Sequence, residues 1–524
     1  MEKNPSDNYR HELLRRILAN LGREGDLANI IQSASVPEDI TEIAQPLQYK
    51  NIRIAVLGAG LAGLAAAYEL HKLGCDISIF EANLTRIGGR VNTYYFRDDL
   101  YGELGAMRIP VSHETTWHYI NLFKLNTYPF IYETENNILY VENVRIRGLN
   151  KDKEIIQYLY PHFELNNWEK RTPLNQLIKY VYNYVLLNLT LEERAELLKI
   201  KPKYSDKINY YDALNFYQAA RQLGLSEGGM NLLNSVVGID RGLYYNSYLE
   251  ILREMYVANF SSLYRIEHGS SKLPLAFYTA LQGKIKLYMG HRVIGIYDNP
   301  SNKVTIKYKV NNNQYLDNYD YVICALPFSQ LRIIEIAPYF SNRKMQAIRQ
   351  VNYEASQKTI LLCKERFWEQ NINNQSIVGG SSLTDLPLTS IWYPSGVSRD
   401  NYGVLIASYN IGLDAVRIGN VNDIELIKRE LEKIQGLPNK YLDDVVVDYK
   451  TINWNNDEYA LGAFAWYAPG QNQLFAYHSY LPEFNNKVFF AGEHISPYHA
   501  WMQGALQTGM VAANNIAYML KTKR

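Results

Sequence analysis

The 524-residue sequence predicts an α/β fold built around a parallel sheet, and three observations carry that expectation. A short apolar run, 52–57, passes through a glycine-rich turn into an alanine-rich segment and then a second apolar run, 75–80. Strand-like runs recur at 285–288, 293–296, 305–310, 319–325 and 359–363, whereas helical periodicity dominates 115–265. The chain is also longer than one hydrophobic core usually serves, so two or three domains are expected.

The first element sets the frame. Ile52, Ile54, Val56 and Leu57 form the nearly continuous apolar run of a parallel strand buried on both faces. Gly58-Ala59-Gly60-Leu61-Ala62-Gly63 follows as G-x-G-x-x-G, opening a helix that stops at Gly74. Gly58 permits the tight turn, Gly60 lets backbone approach a pyrophosphate, and Gly63 lets helix pack closely on strand. The helix N-terminus offers unpaired N–H groups and a positive dipole end to phosphates. Glu81 ends the second strand 23 residues beyond Gly58, where a carboxylate can accept hydrogen bonds from both ribose hydroxyls of an adenosine. A glycine-rich turn alone is common. Strand, turn, helix, strand and acid in this order define a Rossmann-like dinucleotide site.

Composition narrows the class. Hydrophobic content of 47% and charged content of 20% describe a globular protein. A net charge of +1 with no basic block gives nucleic acid no electrostatic footing. Cys75, Cys324 and Cys363 read as small buried hydrophobes, with neither a disulfide framework nor metal-ligand spacing, so no metal is expected. Residues 1–14 are charged and polar, and no apolar run approaches the ~18 residues of a membrane span. A cytoplasmic protein off the membrane is the expectation.

The turn Gly88-Gly89-Arg90 lies just beyond Glu81, and Phe489-Phe490-Ala491-Gly492-Glu493 lies near the other end. The glycine motif alone would admit NAD. Together the two turns resemble those of the flavin-containing amine oxidase family, in which both meet FAD. Glu103-Leu104-Gly105-Ala106-Met107-Arg108-Ile109-Pro110 resembles the E-x-G-x-M-R-x-P stretch of the L-amino-acid oxidase branch. There the arginine binds the substrate carboxylate, a task suited to a permanently charged, planar fork. By composition alone Arg108 would be a surface cation. The resemblance implies FAD contacts from Gly58, Gly60, Leu61, Ala62, Gly63, Glu81, Ala82, Gly88, Gly89, Arg90, Gly105, Ala106, Met107, Arg108, Gly492, Glu493, Trp501 and Met502. It also implies backbone pairing of Val293 with the adenine.

The remaining stretches follow in order. Residues 1–50 form a helical leader, periodic over 8–33 and read as surface packing rather than a dimer contact or lid. Helical patterns span 154–160, 173–189, 191–199, 211–224 and 250–256, with no chemistry-bearing cluster, and His113, His118 and His162 read as structural. By resemblance this is a helical insertion lining the substrate entrance. Residues 266–274 resemble the family's re-entry turn, with His268 where glycine is usual. Lys358 matches the active-site lysine that reaches flavin N5 through water, Lys344 and Lys364 being its competitors. Tyr409 matches the tyrosine that joins the arginine on the carboxylate. Trp392, Tyr393, Phe464, Trp466 and Trp501 gather on pocket-forming stretches, which is read as marking a bulky aromatic or apolar substrate side chain, the alternative being that they are walls of the flavin cage and core. Ala500 stands where the family often has a glycine whose carbonyl holds the amino group. No cysteine is near, so FAD is expected to be noncovalent. Residues 421–436 read as an amphipathic surface helix.

The expected organisation is discontinuous. An FAD-binding domain takes 51–112, 266–345 and 482–524, a mixed-sheet substrate domain 113–150 and 346–481, and a helical domain 151–265. The resemblance implies oxidative deamination of an L-amino acid by hydride transfer from Cα to flavin N5. The products would be a 2-oxo acid, ammonia and hydrogen peroxide, with dioxygen as second substrate; a homodimer is compatible. An amino-acid 2-monooxygenase, a polyamine or monoamine oxidase, and a flavin-binding protein without turnover are the alternatives.

Overall fold

The computed structural model describes residues 1–97, 99–148, 151–370, 375–396, 400–421 and 423–522. Strand Arg53–Leu57 lies at the centre of a five-stranded parallel sheet in the order Lys286–Met289, Asp76–Glu81, Arg53–Leu57, Tyr321–Cys324, Val488–Phe490. Alternate residues of this strand feed different cores. Ile54 and Val56 pack under helices Leu61–Lys72 and Met502–Thr522, while Ala55 and Leu57 meet the layer containing Val293, Ile296 and Ile306. Double-sided burial is why the run is apolar without alternation.

Close backbone approach explains the small residues. A Cβ on Gly63 would stand 2.0 Å from the Gly58 carbonyl oxygen, and one on Gly509 would stand 2.4 Å from that of Ala62. Glycine lets the first helix sit on its strand and the last helix sit on the first.

A second sheet of seven strands, in the order Val446–Asn453, Ser356–Cys363, Gly403–Ile411, Ser390–Trp392, Ser381–Thr384, Ile138–Val141, Val144–Arg147, forms the other wall of the site. Its antiparallel register sets Lys358 directly opposite Tyr409. The expected strand 359–363 begins earlier, at Ser356, so Lys358 is an interior strand residue and almost completely buried.

Three elements differ from the sequence expectation. The 211–224 helix is two, Asp206–Ala213 and Phe216–Gln222, because Asn215 starts a new helix with a reciprocal cap to Gln218 while the Leu214 carbonyl accepts from the Tyr248 amide. The 421–436 pattern resolves to helix Ile424–Gln435, closed by Gly436 in the left-handed region. The leader is not superficial. Arg10 donates to both carboxylate oxygens of Glu114, and Arg23 donates to the Tyr256 and Met255 carbonyls, both guanidinium groups being buried. Among the described residues no helix is long and apolar enough to cross a membrane.

Candidate active site

A continuous cleft runs from the glycine turn to the seven-stranded sheet. Gly58, Gly60, Leu61, Ala62, Glu81, Ala82 and Val293 line one end, Gly88, Gly89, Arg90, Gly105, Ala106 and Met107 the middle, and Arg108, Lys358, Tyr409, Phe464, Trp466, Ala500 and Trp501 the other. Gly492, Glu493 and Met502 also border it. Gly63 does not, because its work is the helix–strand contact.

Helix Leu61–Lys72 starts at Gly60 with no side-chain cap, and a Cβ on Gly60 would meet nothing within 4 Å. The N-terminal end of the helix therefore opens into the cleft. The Glu81 carboxylate accepts from the amides of Ala59 at 2.9 Å and Asn83 at 2.8 Å, which fixes it beside the turn. Burial raises its proton affinity, and those amides oppose the shift. Arg90 bridges the two halves of the motif, donating to Glu493 Oε1 at 2.8 Å and to the Ala463 carbonyl at 3.1 Å. Glu493 also accepts from the amides of Ala465 and Ala500. The glutamate of the terminal turn thus braces two backbone segments of the site.

Glu103, at the head of the E-x-G-x-M-R stretch, performs a similar service. It accepts from the Ser270 amide at 2.6 Å and the Thr93 hydroxyl at 2.9 Å, tying down the re-entry turn. His268 and Gly269 both take positive φ there, 59° and 98°, so the turn forms despite the missing glycine. Gly105 is required where it stands, since a Cβ would lie 2.0 Å from the Arg90 carbonyl oxygen.

Arg108 projects into the far end of the cleft. It is 9% exposed, its guanidinium carbon lies 5.0 Å from the Trp392 ring, 5.6 Å from Phe260 and 5.8 Å from Tyr132, and among the described residues Nη1 has no hydrogen-bond partner. A buried guanidinium nitrogen left unbonded is costly unless something else completes it. Lys358 donates to the Gly105 carbonyl at 2.7 Å and stands 4.3 Å from the Tyr409 ring centroid. Burial, reinforced by Arg108 and opposed by Glu103, lowers its pKa below the usual lysine value. Burial raises that of Tyr409, with Arg108 pulling the other way.

Several sequence readings need correction. Trp392 is not on the cleft wall; it lies behind Arg108, its indole N–H donating to Ser390 Oγ. Tyr393 belongs to a separate core and bonds to Ser382 and Gln435. Lys344 is a structural lysine remote from the cleft, donating to the Ser479 and Leu481 carbonyls. The helical segment does carry chemistry. Asp240 and Glu254 both line the cleft, with Ile239, Leu243 and Phe260. Burial pushes the Asp240 carboxyl up to about 6, against the pull of Arg108, and that of Glu254 to about 7. Neither carries a local motif. What sets them apart is burial, which acids rarely undergo and which is not visible in the sequence.

FAD fits this cleft. An uncapped helix end with open space at Gly60 suits a pyrophosphate, and Glu81 at the strand end suits a ribose. The cleft then continues past Arg90 and Gly105 to Lys358, long enough in lining for the flavin half. The architecture and cleft define an FAD-binding protein. The family model for flavin containing amine oxidoreductase matches residues 61–517, and the chain belongs to that family. Within it the chain is similar to L-amino-acid oxidases: 31% identical over 514 residues to that of Daboia russelii, covering 95% of this chain and 97% of the relative. That of Vipera ammodytes ammodytes is 30% identical over 473 residues, covering 88% and 92%. Among solved structures, putrescine oxidase bound to putrescine has a TM-score of 0.70 at 18% identity, covering 89% of this chain and 98% of that one, a likeness of fold.

Proposed function

We propose that the protein is an FAD-dependent L-amino-acid oxidase that converts an L-amino acid to a 2-oxo acid, ammonia and hydrogen peroxide. The observation that carries this reading is Arg108: a buried cation at the cleft end whose Nη1 has no hydrogen-bond partner among the described residues. A substrate carboxylate completes it through a charge-assisted, two-pronged contact, and Tyr409 adds a hydroxyl donor from the facing strand. An amine without a carboxylate leaves that nitrogen unsatisfied, which disfavours the polyamine and monoamine oxidase alternatives.

The chemistry FAD supplies when bound is acceptance of two electrons from Cα and their passage to dioxygen. The chain's own residues orient and shield. Arg108 and Tyr409 fix the acid end, which turns the α-hydrogen in one direction. Ala500 and Trp501 border the place left for the amino group. Lys358, with its lowered proton affinity and its bond to Gly105, can hold or pass a proton through a bound water. Phe260, Phe464, Trp466, Ile239 and Leu243 support a bulky aromatic or apolar substrate side chain.

The test is an anaerobic screen of flavin bleaching across L-amino acids, followed by product analysis. Bleaching by large apolar amino acids, with peroxide and 2-oxo acid formed in air, is expected. An amide product would establish the monooxygenase alternative, and no bleaching by any amino acid would refute turnover.

A further inference from the structure

The binding geometry leaves one step without an agent. An amino acid is a zwitterion near neutral pH, and its nitrogen lone pair is free to assist loss of hydride from Cα only after the ammonium group has given up a proton. Glu254 borders the part of the cleft that Trp501 also lines. It lies on helix Tyr248–Tyr256, lines the cleft beside Trp501, and accepts the Trp501 indole N–H on both oxygens, at 2.8 and 3.0 Å. The Asn259 side-chain amide donates to Oε2 at 3.0 Å, and its Oδ1 is 3.1 Å from His113 Nε2. His113 stacks edge-on to Trp501 at 5.1 Å, so carboxylate, amide, imidazole and indole form one rigid corner.

Among the described residues no cation forms an ion pair with Glu254. Its helix neighbour Arg253 pairs with Glu250, and His499 pairs with the other oxygen of Glu250. His113 is buried deeply enough that its pKa falls to about 3, so it faces Glu254 uncharged. Glu250 and Asp240 face it with like charge and add to the effect of burial. The carboxyl group therefore changes protonation near neutrality, where a general base for an amine works best.

We propose that Glu254 is the proton acceptor for the α-ammonium group of the substrate, an assignment that rests on the amino-acid oxidase reading above. The N–H bond of the ammonium breaks and a carboxyl O–H forms; the amine keeps the electron pair. The proton leaves to solvent when the imino product departs, which restores the carboxylate. Trp501 and Asn259 are positioning residues that hold the carboxylate toward the amine.

The experiment follows the pH dependence of anaerobic flavin bleaching in the FAD-loaded wild type, Glu254→Gln and Trp501→Phe. The wild type is expected to lose rate below neutral pH along a single-proton limb. Glu254→Gln should lose about 100-fold at pH 7, within the range for general-base catalysis. It should recover as pH approaches the substrate's own ammonium pKa. Trp501→Phe removes a donor to the charged form, so its limb should move to higher pH. Independently of turnover, the fluorescence difference between wild type and Trp501→Phe should titrate near neutrality, and that titration should vanish in Glu254→Gln. Glu254→Gln with the wild-type rate and limb would overturn the assignment. A wild type that no L-amino acid bleaches would instead refute the oxidase reading itself.

Discussion

Replacing Arg108 with methionine separates binding from stability. Arg108 is 9% exposed, so the substrate-carboxylate contact proposed for it would form away from bulk solvent. Breaking a buried pair by removing one partner costs about 3–5 kcal/mol. At about 1.4 kcal/mol per tenfold, kcat/KM should fall roughly 10²- to 10⁴-fold. The folding side moves differently. The variant loses ring contacts to Trp392, Phe260 and Tyr132, each about 0.5–1 kcal/mol. It also relieves an unbonded buried Nη1, about 1–3 kcal/mol in the opposite direction. The two nearly cancel, so the melting temperature should scarcely move. The assay is anaerobic bleaching with L-phenylalanine and with 2-phenylethylamine, the same molecule without its carboxylate. The wild type should prefer the amino acid strongly, and Arg108→Met should lose the preference while keeping bound flavin. A variant that retains the ratio, or a wild type that oxidises the amine equally well, would refute the reasoning.

Other outcomes follow from the same geometry. Gly60→Ala should leave the apoprotein's stability intact and lower its FAD content, since only the bound pyrophosphate meets the new methyl; Gly63→Ala should destabilise the apoprotein itself by about 1–3 kcal/mol through its 2.0 Å clash, as read by thermal melting without flavin. Ala500 holds φ at +64°, so Ala500→Gly should stabilise the fold by about 1 kcal/mol, measured by chemical denaturation. Burial lowers the pKa of Lys344 to about 7, below its unfolded value, so the unfolded chain binds the extra proton above that pH. Wild-type stability should therefore rise from about pH 7 toward the unfolded lysine pKa near 10, and Lys344→Met should remove that part of the rise. His113, depressed to about 3 by burial, should cost stability as pH drops below the ordinary histidine value, and His113→Gln should lessen this acid sensitivity in melting curves at pH 5 and 7.

The sequence by itself determined the dinucleotide half of this protein. Gly58, Gly60 and Gly63 were legible because a tight turn and close backbone packing demand glycine at fixed spacing, and Glu81 because an acid at the end of the second strand completes that pattern. The apolar run at 54–57 was legible because a strand buried on both faces cannot alternate. Arg108, Lys358 and Tyr409 came from resemblance, since a lone cation or tyrosine carries no periodic signal. Tertiary structure alone decided the rest. It set Lys358 opposite Tyr409 through strand register, moved Trp392 behind Arg108, and drew Arg10 and Arg23 of the leader into the interior. It also turned Asp240 and Glu254 from two undistinguished acids of a helical segment into walls of the cleft. Burial is a property of the assembled chain, and it is burial that shifts a carboxyl group toward neutrality and sets the Arg108 guanidinium apart from a surface cation.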